Sequence, residues 1–248
     1  VSTFSPGKID GNYEHNLGPY SDGLKFTNII FDFDHTLVEF GPHVDWKGAI
    51  QAIERVYLEE GIPVAVVEQS KGLGFSLMRA VYNHMLGVFP AERVHRVQSR
   101  AFAALEGYEL LGVEKALPVD GAKNLLAWLE SSSVQCAIVS SNATRVVESS
   151  LRHLGLDGFF RGVFGRDPSC RLKPYPDQNR LCLSSLGWKA EGTLLIGDSP
   201  DDILSAKPLS IFTVGIVSDA KREQRLLDSG PDRLIRNLSE LPFILQTA

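Results

Sequence analysis

The stretch NIIFDFDHTLVEF, residues 28–40, decides how the chain is read. Its apolar run Ile29-Ile30-Phe31 has the character of a buried β-strand, yet it ends in Asp32 and Asp34 with only Phe33 between them. Two ionised carboxylates at the end of a core strand repel each other and are costly to desolvate. A cation, a basic side chain or hydrogen-bond donors from elsewhere in the chain must compensate them.

With 248 residues the chain has room for one large α/β domain, or for a core domain with a smaller insertion. A net charge of −5 and a pI near 5.7 argue against a nucleic-acid or anionic-membrane surface. They leave room for a phosphate ligand, since a bound divalent cation and one lysine invert the local field. Cys136, Cys170 and Cys182 lack metal-ligand spacing and read as reduced packing thiols in a cytoplasmic setting. The six histidines form no HxxxH or HExxH pair, so zinc is not expected. No apolar run reaches membrane-spanning length. Residues 1–26 carry neither the arginines of a transit peptide nor the apolar stretch of a secretory signal, and read as an irregular leader lying on the core. The first residue is Val1 rather than Met, which leaves processing or a fragment open.

Short Val- and Ile-rich runs recur at TNIIFDF, VQCAIVSS, GVFG, GTLLIGDS and IFTVGIVS. Apolar residues in continuous runs suit a parallel sheet covered on both faces. Helical patterns lie between them (VDGAKNLLAWLESS, TRVVESSLRHLG, PDQNRLCLSSLG, DDILSAK), so strand and helix alternate after about residue 118. That alternation predicts an α/β fold with a doubly wound, Rossmann-like parallel sheet. Residues 44–117 differ, showing helical apolar spacing and no convincing strand. They are expected to form an all-helical cap inserted into a core made of residues 27–43 and 118–248. Gly41-Pro42 on one side and Pro118 and Gly121 on the other would serve as its hinges. The pair GLGF at 72–75 carries no dinucleotide signal, and His84 and His95 read as helix-surface residues.

Ligand sites in such sheets gather at strand C-termini, and three later segments end on that edge. Ser140 follows the strand in AIVSSN, where its hydroxyl and the N–H groups beyond it can hold a phosphoryl oxygen at a helix start, with Ser141 or Asn142 as sharers of the contact. Lys173, in RLKPYPD, can neutralise both an incoming phosphate and Asp32. In LLIGDSPDD, Gly197 permits a tight turn and Asp198 and Asp202 add acidic oxygens; a plain acidic residue of a helix's first turn is the competing reading of Asp202. Mg²⁺ prefers about six hard oxygen ligands and keeps several waters, so two or three carboxyl groups plus substrate suit it. The compensation sought for Asp32 and Asp34 is a magnesium ion with a lysine.

These motifs together resemble the haloacid dehalogenase-like superfamily, specifically its phosphatase branch with a helical cap after the first strand. The resemblance covers about residues 27–245. It rests on DxDxT at Asp32–Thr36, the strand ending in Ser140, Lys173 in a KPxPD setting and GDxxxD from Gly197 to Asp202. It implies Asp32 as nucleophile, forming an aspartyl-phosphate. Asp34 would protonate the leaving oxygen, later deprotonate water, and offer its backbone carbonyl to Mg²⁺. Ser140 would bind the phosphoryl group, Lys173 would stabilise its charge, Asp198 would ligate the metal, Asp202 would support it directly or through water, and Thr36 would steady the loop. The implied activity is hydrolysis of a small phosphorylated metabolite, as in phosphoglycolate phosphatases. A phosphosugar mutase would use the same core. A receiver-like signalling module also pairs an acidic pocket with a hydroxyl and a lysine, but there the lysine follows the other motifs, whereas Lys173 precedes Asp198. Asp34 argues against dehalogenases, which lack it. His35 and Ser210 stand where relatives often have glycine and are given no chemistry.

Overall fold

The computed structural model of the protein describes residues 24–69, 74–217 and 220–247. Strand β1 (Asn28–Phe31) carries Ile29, Ile30 and Phe31, none with exposed surface. Successive side chains of a strand point to opposite faces. Ile29 and Phe31 accordingly join one apolar cluster and Ile30 another, so both faces of the sheet are covered. Beyond it lie β2 (Val38–Glu39), β3 (Leu117–Pro118), β4 (Gln135–Ala143), β5 (Phe160–Arg166), β6 (Thr193–Gly197), β7 (Phe212–Ile216) and β8 (Arg233–Ile235). Six of these form one sheet in the order β5-β4-β1-β6-β7-β8, and every pairing is parallel. β1 is flanked by β4 and β6, where the strand order reverses, so its C-terminal end opens at the switch point of the sheet.

Helices α1 (Trp46–Glu59), α2 (Val64–Glu68), α3 (Gly74–Leu86) and α4 (Ala91–Leu110) form the insert. Asp45 caps α1, its side chain accepting from Gly48 N at 3.0 Å. The insert has its own apolar cluster, built around Ile53, Tyr57, Leu77, Met78, Val97 and Leu105. The remaining helices, α5 (Ala122–Ser131), α6 (Thr144–Leu154), α7 (Asp177–Leu186), α8 (Pro200–Ala206), α9 (Ala220–Asp228) and α10 (Leu241–Thr247), accompany the sheet. Among the described residues no helix is long and apolar enough to cross a membrane.

Two details depart from the sequence expectations. The chain enters and leaves the insert through an antiparallel ribbon in which Val38 faces Pro118 and Glu39 faces Leu117. One strand residue, Leu117, thus falls inside the stretch expected to be all-helical; a two-residue strand is too short to show period-2 alternation. β8 was not expected, because its three residues begin with Arg233, lie between Asp232 and Arg236, and show no apolar run. Of the expected irregular leader, 1–26, only Leu24–Phe26 lie within the described residues. There Lys25 N donates to Leu245 O at 3.1 Å and the Phe26 ring lies 4.9 Å from that of Phe212. Gly72 and Leu73 of the GLGF pair also lie outside them. Cys136 and Cys182 are buried free thiols, each pushed up to about 12 by burial.

Candidate active site

Asp32 leaves the end of β1 with its backbone N–H bonded to Ile196 O at 2.9 Å, so the carboxylate emerges between β4 and β6. Lys173, brought in by the segment after β5, meets it there. The ammonium donates to Asp32 Oδ1 at 2.8 Å, to Asp202 Oδ1 at 2.6 Å and to the Val139 carbonyl at 2.6 Å. Lys173 has 3% of its surface exposed. Burial alone would pull its ammonium down, but the Asp202 and Asp32 charges hold it well above its ordinary value. Thr36 Oγ1 lies 3.4 Å from Asp32 Oδ2, the oxygen that Lys173 does not touch.

The turn after β6 places the other two carboxylates. A Cβ at Gly197 would lie 2.5 Å from the Cβ of Asp202, so only glycine lets the chain fold α8 back over the strand end. Asp202 divides its oxygens. Oδ2 accepts from Ser199 N at 3.0 Å and Ser199 Oγ at 2.7 Å, closing a capping box on α8, while Oδ1 faces Lys173. Asp202 therefore caps α8 with one oxygen and meets Lys173 with the other.

Asp198 turns one oxygen to Arg222 Nη1 at 2.8 Å, from the exposed side. Its carboxyl is pushed up to about 6 by burial and by the neighbouring Asp202 charge, with Arg222 pulling the other way. Asp32 is likewise raised well above the usual carboxylate range, by burial first and Asp202 next, against the pull of Lys173. One oxygen each of Asp32, Asp198 and Asp202 fall within 4.8 Å of one another. Three hard carboxylates around a single buried ammonium leave negative charge in excess. This donor set fits a small divalent cation such as Mg²⁺.

Asp34 lies apart from that trio. Its Oδ1 accepts from Phe40 N at 3.0 Å and Gly41 N at 2.8 Å, which joins it to the segment leading into the insert. His35 beside it adopts φ 59 and reaches Glu39 Oε2 at 2.8 Å, and Ser210 adopts φ 58; both backbone positions are ones glycine favours.

Ser140 stands near the end of β4 with 1% of its surface exposed. Its hydroxyl donates to Asn142 Oδ1 and accepts from Asn142 N, both at 3.1 Å. The other end of the Asn142 amide donates to Glu109 Oε1 at 2.9 Å, so this side chain is committed within the protein. Ser141 contributes its carbonyl, which accepts from Arg166 Nη1 at 2.8 Å. Gln178 Nε2 holds the carbonyls of Ser140 at 2.7 Å and Gly165 at 2.9 Å.

Sequence reasoning missed Glu109, Arg166, Gln178 and Arg222. A signal existed for Glu109 alone: Val97, Ala101 and Leu105 mark the buried stripe of α4 at four-residue spacing, and Glu109 is the next position on it. A carboxylate in an apolar stripe implies a buried partner. The insert also reaches the site through Arg79 of α3. Its Nη1 donates to the Lys173 carbonyl at 2.8 Å and to Asp201 Oδ2 at 2.7 Å. Arg96 and Arg100 instead pair with Glu60, Arg100 also with Glu59, and Arg93 donates to the Glu60 carbonyl, all within the insert.

The chain is similar to curated proteins over most of its length. It is 26% identical over 222 residues to a phosphoglycolate phosphatase of Pseudomonas savastanoi, covering 86% of this chain and 77% of that protein. It is 28% identical over 226 residues to the pyrophosphatase PpaX of Listeria monocytogenes, covering 90% and 97%. Among solved structures, a haloacid dehalogenase-like family protein of Streptococcus pneumoniae superposes with a TM-score of 0.60 at 21% identity, over 89% of this chain and 99% of that one. A hydrolase of Pseudomonas syringae gives 0.58 at 23%, over 90% and 99%. The pattern of the haloacid dehalogenase-like hydrolases matches residues 29–216, most of the chain, and the protein belongs to that family of enzymes.

Proposed function

We propose that the protein is a magnesium-dependent phosphomonoester hydrolase of a small phosphorylated metabolite, acting through an aspartyl-phosphate on Asp32, with residues 44–117 as the cap over its site. The observation that carries this reading is the Asp32 carboxylate, held at the sheet's switch point by the Lys173 ammonium with Asp198 and Asp202 alongside. The names of the phosphatase and pyrophosphatase relatives support the same chemistry.

Lys173 fixes Asp32 Oδ1, which leaves Oδ2 as the attacking oxygen. Attack on phosphorus forms the Asp32–phosphoryl bond and breaks the ester P–O bond. The proton needed by the leaving oxygen comes from Asp34 Oδ2, while Oδ1 is held by the N–H groups of Phe40 and Gly41. In the second half a water attacks the same phosphorus, Asp34 takes its proton, and phosphate departs with the Asp32 carboxylate restored. Ser140 binds a phosphoryl oxygen by turning to it the hydroxyl proton that rests on Asn142 Oδ1. Asp32, Asp198, the Asp34 carbonyl and, directly or through water, Asp202 would hold Mg²⁺, which would neutralise charge on the transferring group. Splitting the displacement in two, with charge stabilisation preorganised in a buried site, is how such slow reactions are accelerated.

Rapid-quench kinetics with p-nitrophenyl phosphate and Mg²⁺ tests the proposal. Asp34→Asn should release a burst of nitrophenol approaching one equivalent and keep phosphate on the protein, because water activation slows by about 10²–10⁴-fold. Asp32→Asn should show neither burst nor label, and EDTA should abolish wild-type turnover. Label on Asp32→Asn, or wild-type turnover in EDTA, refutes the assignment.

A further inference from the structure

We infer that Glu109, at the end of α4 in the insert, is a positioning residue for the phosphoryl-binding turn at Ser140, acting through the amide of Asn142. The inference rests on the function proposed above. Glu109 and Arg166 both have fully buried side chains. Arg166 Nη2 donates to Glu109 Oε2 at 2.7 Å and Nη1 to Oε1 at 3.1 Å, a two-pronged pair between the insert and β5. The same carboxylate accepts from Asn142 Nδ2 at 2.9 Å and from Ala143 N at 3.4 Å.

Glu109 therefore does more than balance a charge. An asparagine amide can turn over and exchange its oxygen and nitrogen. The carboxylate has only acceptors to offer, so it compels Asn142 to present Nδ2 to it. Asn142 Oδ1 is then the end that faces Ser140, and it takes the proton of the Ser140 hydroxyl at 3.1 Å. The turn's backbone is thereby held before any ligand arrives, and the Ser140 proton rests on Asn142 Oδ1 until a phosphoryl oxygen takes it. Arg166 braces the same turn from beneath through the Ser141 carbonyl at 2.8 Å. The chain is Glu109, Asn142, Ser140: a residue of the insert holds the turn that carries a hydroxyl of the core, and neither Glu109 nor Arg166 touches substrate.

A buried ion pair could instead serve stability alone. Replacing such a pair by apolar groups of similar shape is often neutral, whereas removing one partner is strongly destabilising. The informative variants therefore change both residues. Glu109→Gln with Arg166→Met removes both charges and keeps a side-chain acceptor for Asn142 Nδ2. Glu109→Met with Arg166→Met removes both charges and that acceptor. Thermal unfolding and kinetics on p-nitrophenyl phosphate would be measured for both.

If Glu109 positions the turn, the two double variants melt within a few degrees of each other. The Met/Met protein then loses about 10–10²-fold in kcat relative to Gln/Met, the scale of a misplaced binding group. KM should change far less, since Ser140 acts on the transferring phosphoryl group. Adding Asn142→Ala to both should erase the difference between them. Equal kcat in the two doubles, or a difference that survives Asn142→Ala, overturns the inference. Failure of the underlying function reads differently: the wild-type protein would then turn over no phosphomonoester at all.

Discussion

Replacing Lys173 by Met keeps an unbranched side chain of similar length and removes the one ammonium buried among three carboxylates. The wild-type ammonium makes three short hydrogen bonds, two of them to Asp32 and Asp202. Stripping one partner from a buried ion pair costs about 3–5 kcal/mol. For a chain of this size that corresponds to a fall in Tm of roughly 6–20 °C. The loss should depend on pH, and its sign follows from the carboxylates. Asp32 and Asp198 already sit above their unfolded values, and losing the ammonium raises Asp32 further. A carboxyl raised on folding stabilises the folded state at low pH and loses that contribution as pH rises through its folded value. The deficit of Lys173→Met should therefore be largest near pH 8 and shrink toward pH 5. Thermal unfolding in EDTA across that range, together with kcat on p-nitrophenyl phosphate, checks both halves. Turnover should fall by at least ~10²-fold. A variant that melts with wild type at pH 8, or whose deficit grows on acidification, would refute the account of the cluster.

Three further outcomes are expected. In EDTA the wild-type protein should lose Tm between about pH 4 and pH 7, as the contribution of Asp198, raised to about 6, disappears; Mg²⁺ should flatten that slope, and a slope unchanged by Mg²⁺ speaks against a metal at this site. Gly165→Ala would put a Cβ 2.4 Å from Thr144 N and 2.7 Å from Asn142 O, both backbone atoms that cannot swing aside. It should cost about 1–3 kcal/mol and lower activity with it, measurable by chemical denaturation beside kinetics. Arg79→Ala removes the hydrogen bonds to the Lys173 carbonyl and Asp201, a charge-assisted contact worth about 1–2 kcal/mol, and should raise KM several-fold with a smaller change in kcat; an unchanged KM would mean that this contact does not help the insert close.

The sheet was legible, and so was the gathering of four motifs at one of its edges, because each announces itself locally. An apolar run ending in DxD, a strand ending in serine and the GDSPDD turn are contiguous in sequence, and parallel topology brings their ends to one edge. What could not be read was contact between distant residues. Glu109 meets Asn142 across 33 positions and Arg166 across 57, and nothing in either neighbourhood names the other. Asn142 was named as a sharer of the phosphoryl contact, and its neighbours in sequence could not show that Glu109 engages its amide. Arg79 shares a helix pattern with solvated arginines, and only the docking of α3 on the Lys173 segment separates it from them. β8 and the β2–β3 ribbon escaped because two or three residues are too few for periodicity to register.

The ribbon has a mechanical consequence. A domain joined by two separate tethers can slide, twist and lift independently at each. Here the outgoing and returning strands are laced to each other, Val38 to Pro118 and Glu39 to Leu117, with Val119 N bonded to Leu37 O at 2.9 Å. Two strands bonded side by side move as one leaf, so the easiest displacement left to the insert is flexing about a single line, like a door on one pin. Points near that line barely move. The end of α4 is among them, since Gly112 lies against the His43 backbone, whereas Arg79 reaches the core by its own separate contact. Such a door swings while its post stays put, so Glu109 can stay on Asn142 through the very motion that would carry Arg79 away from Asp201.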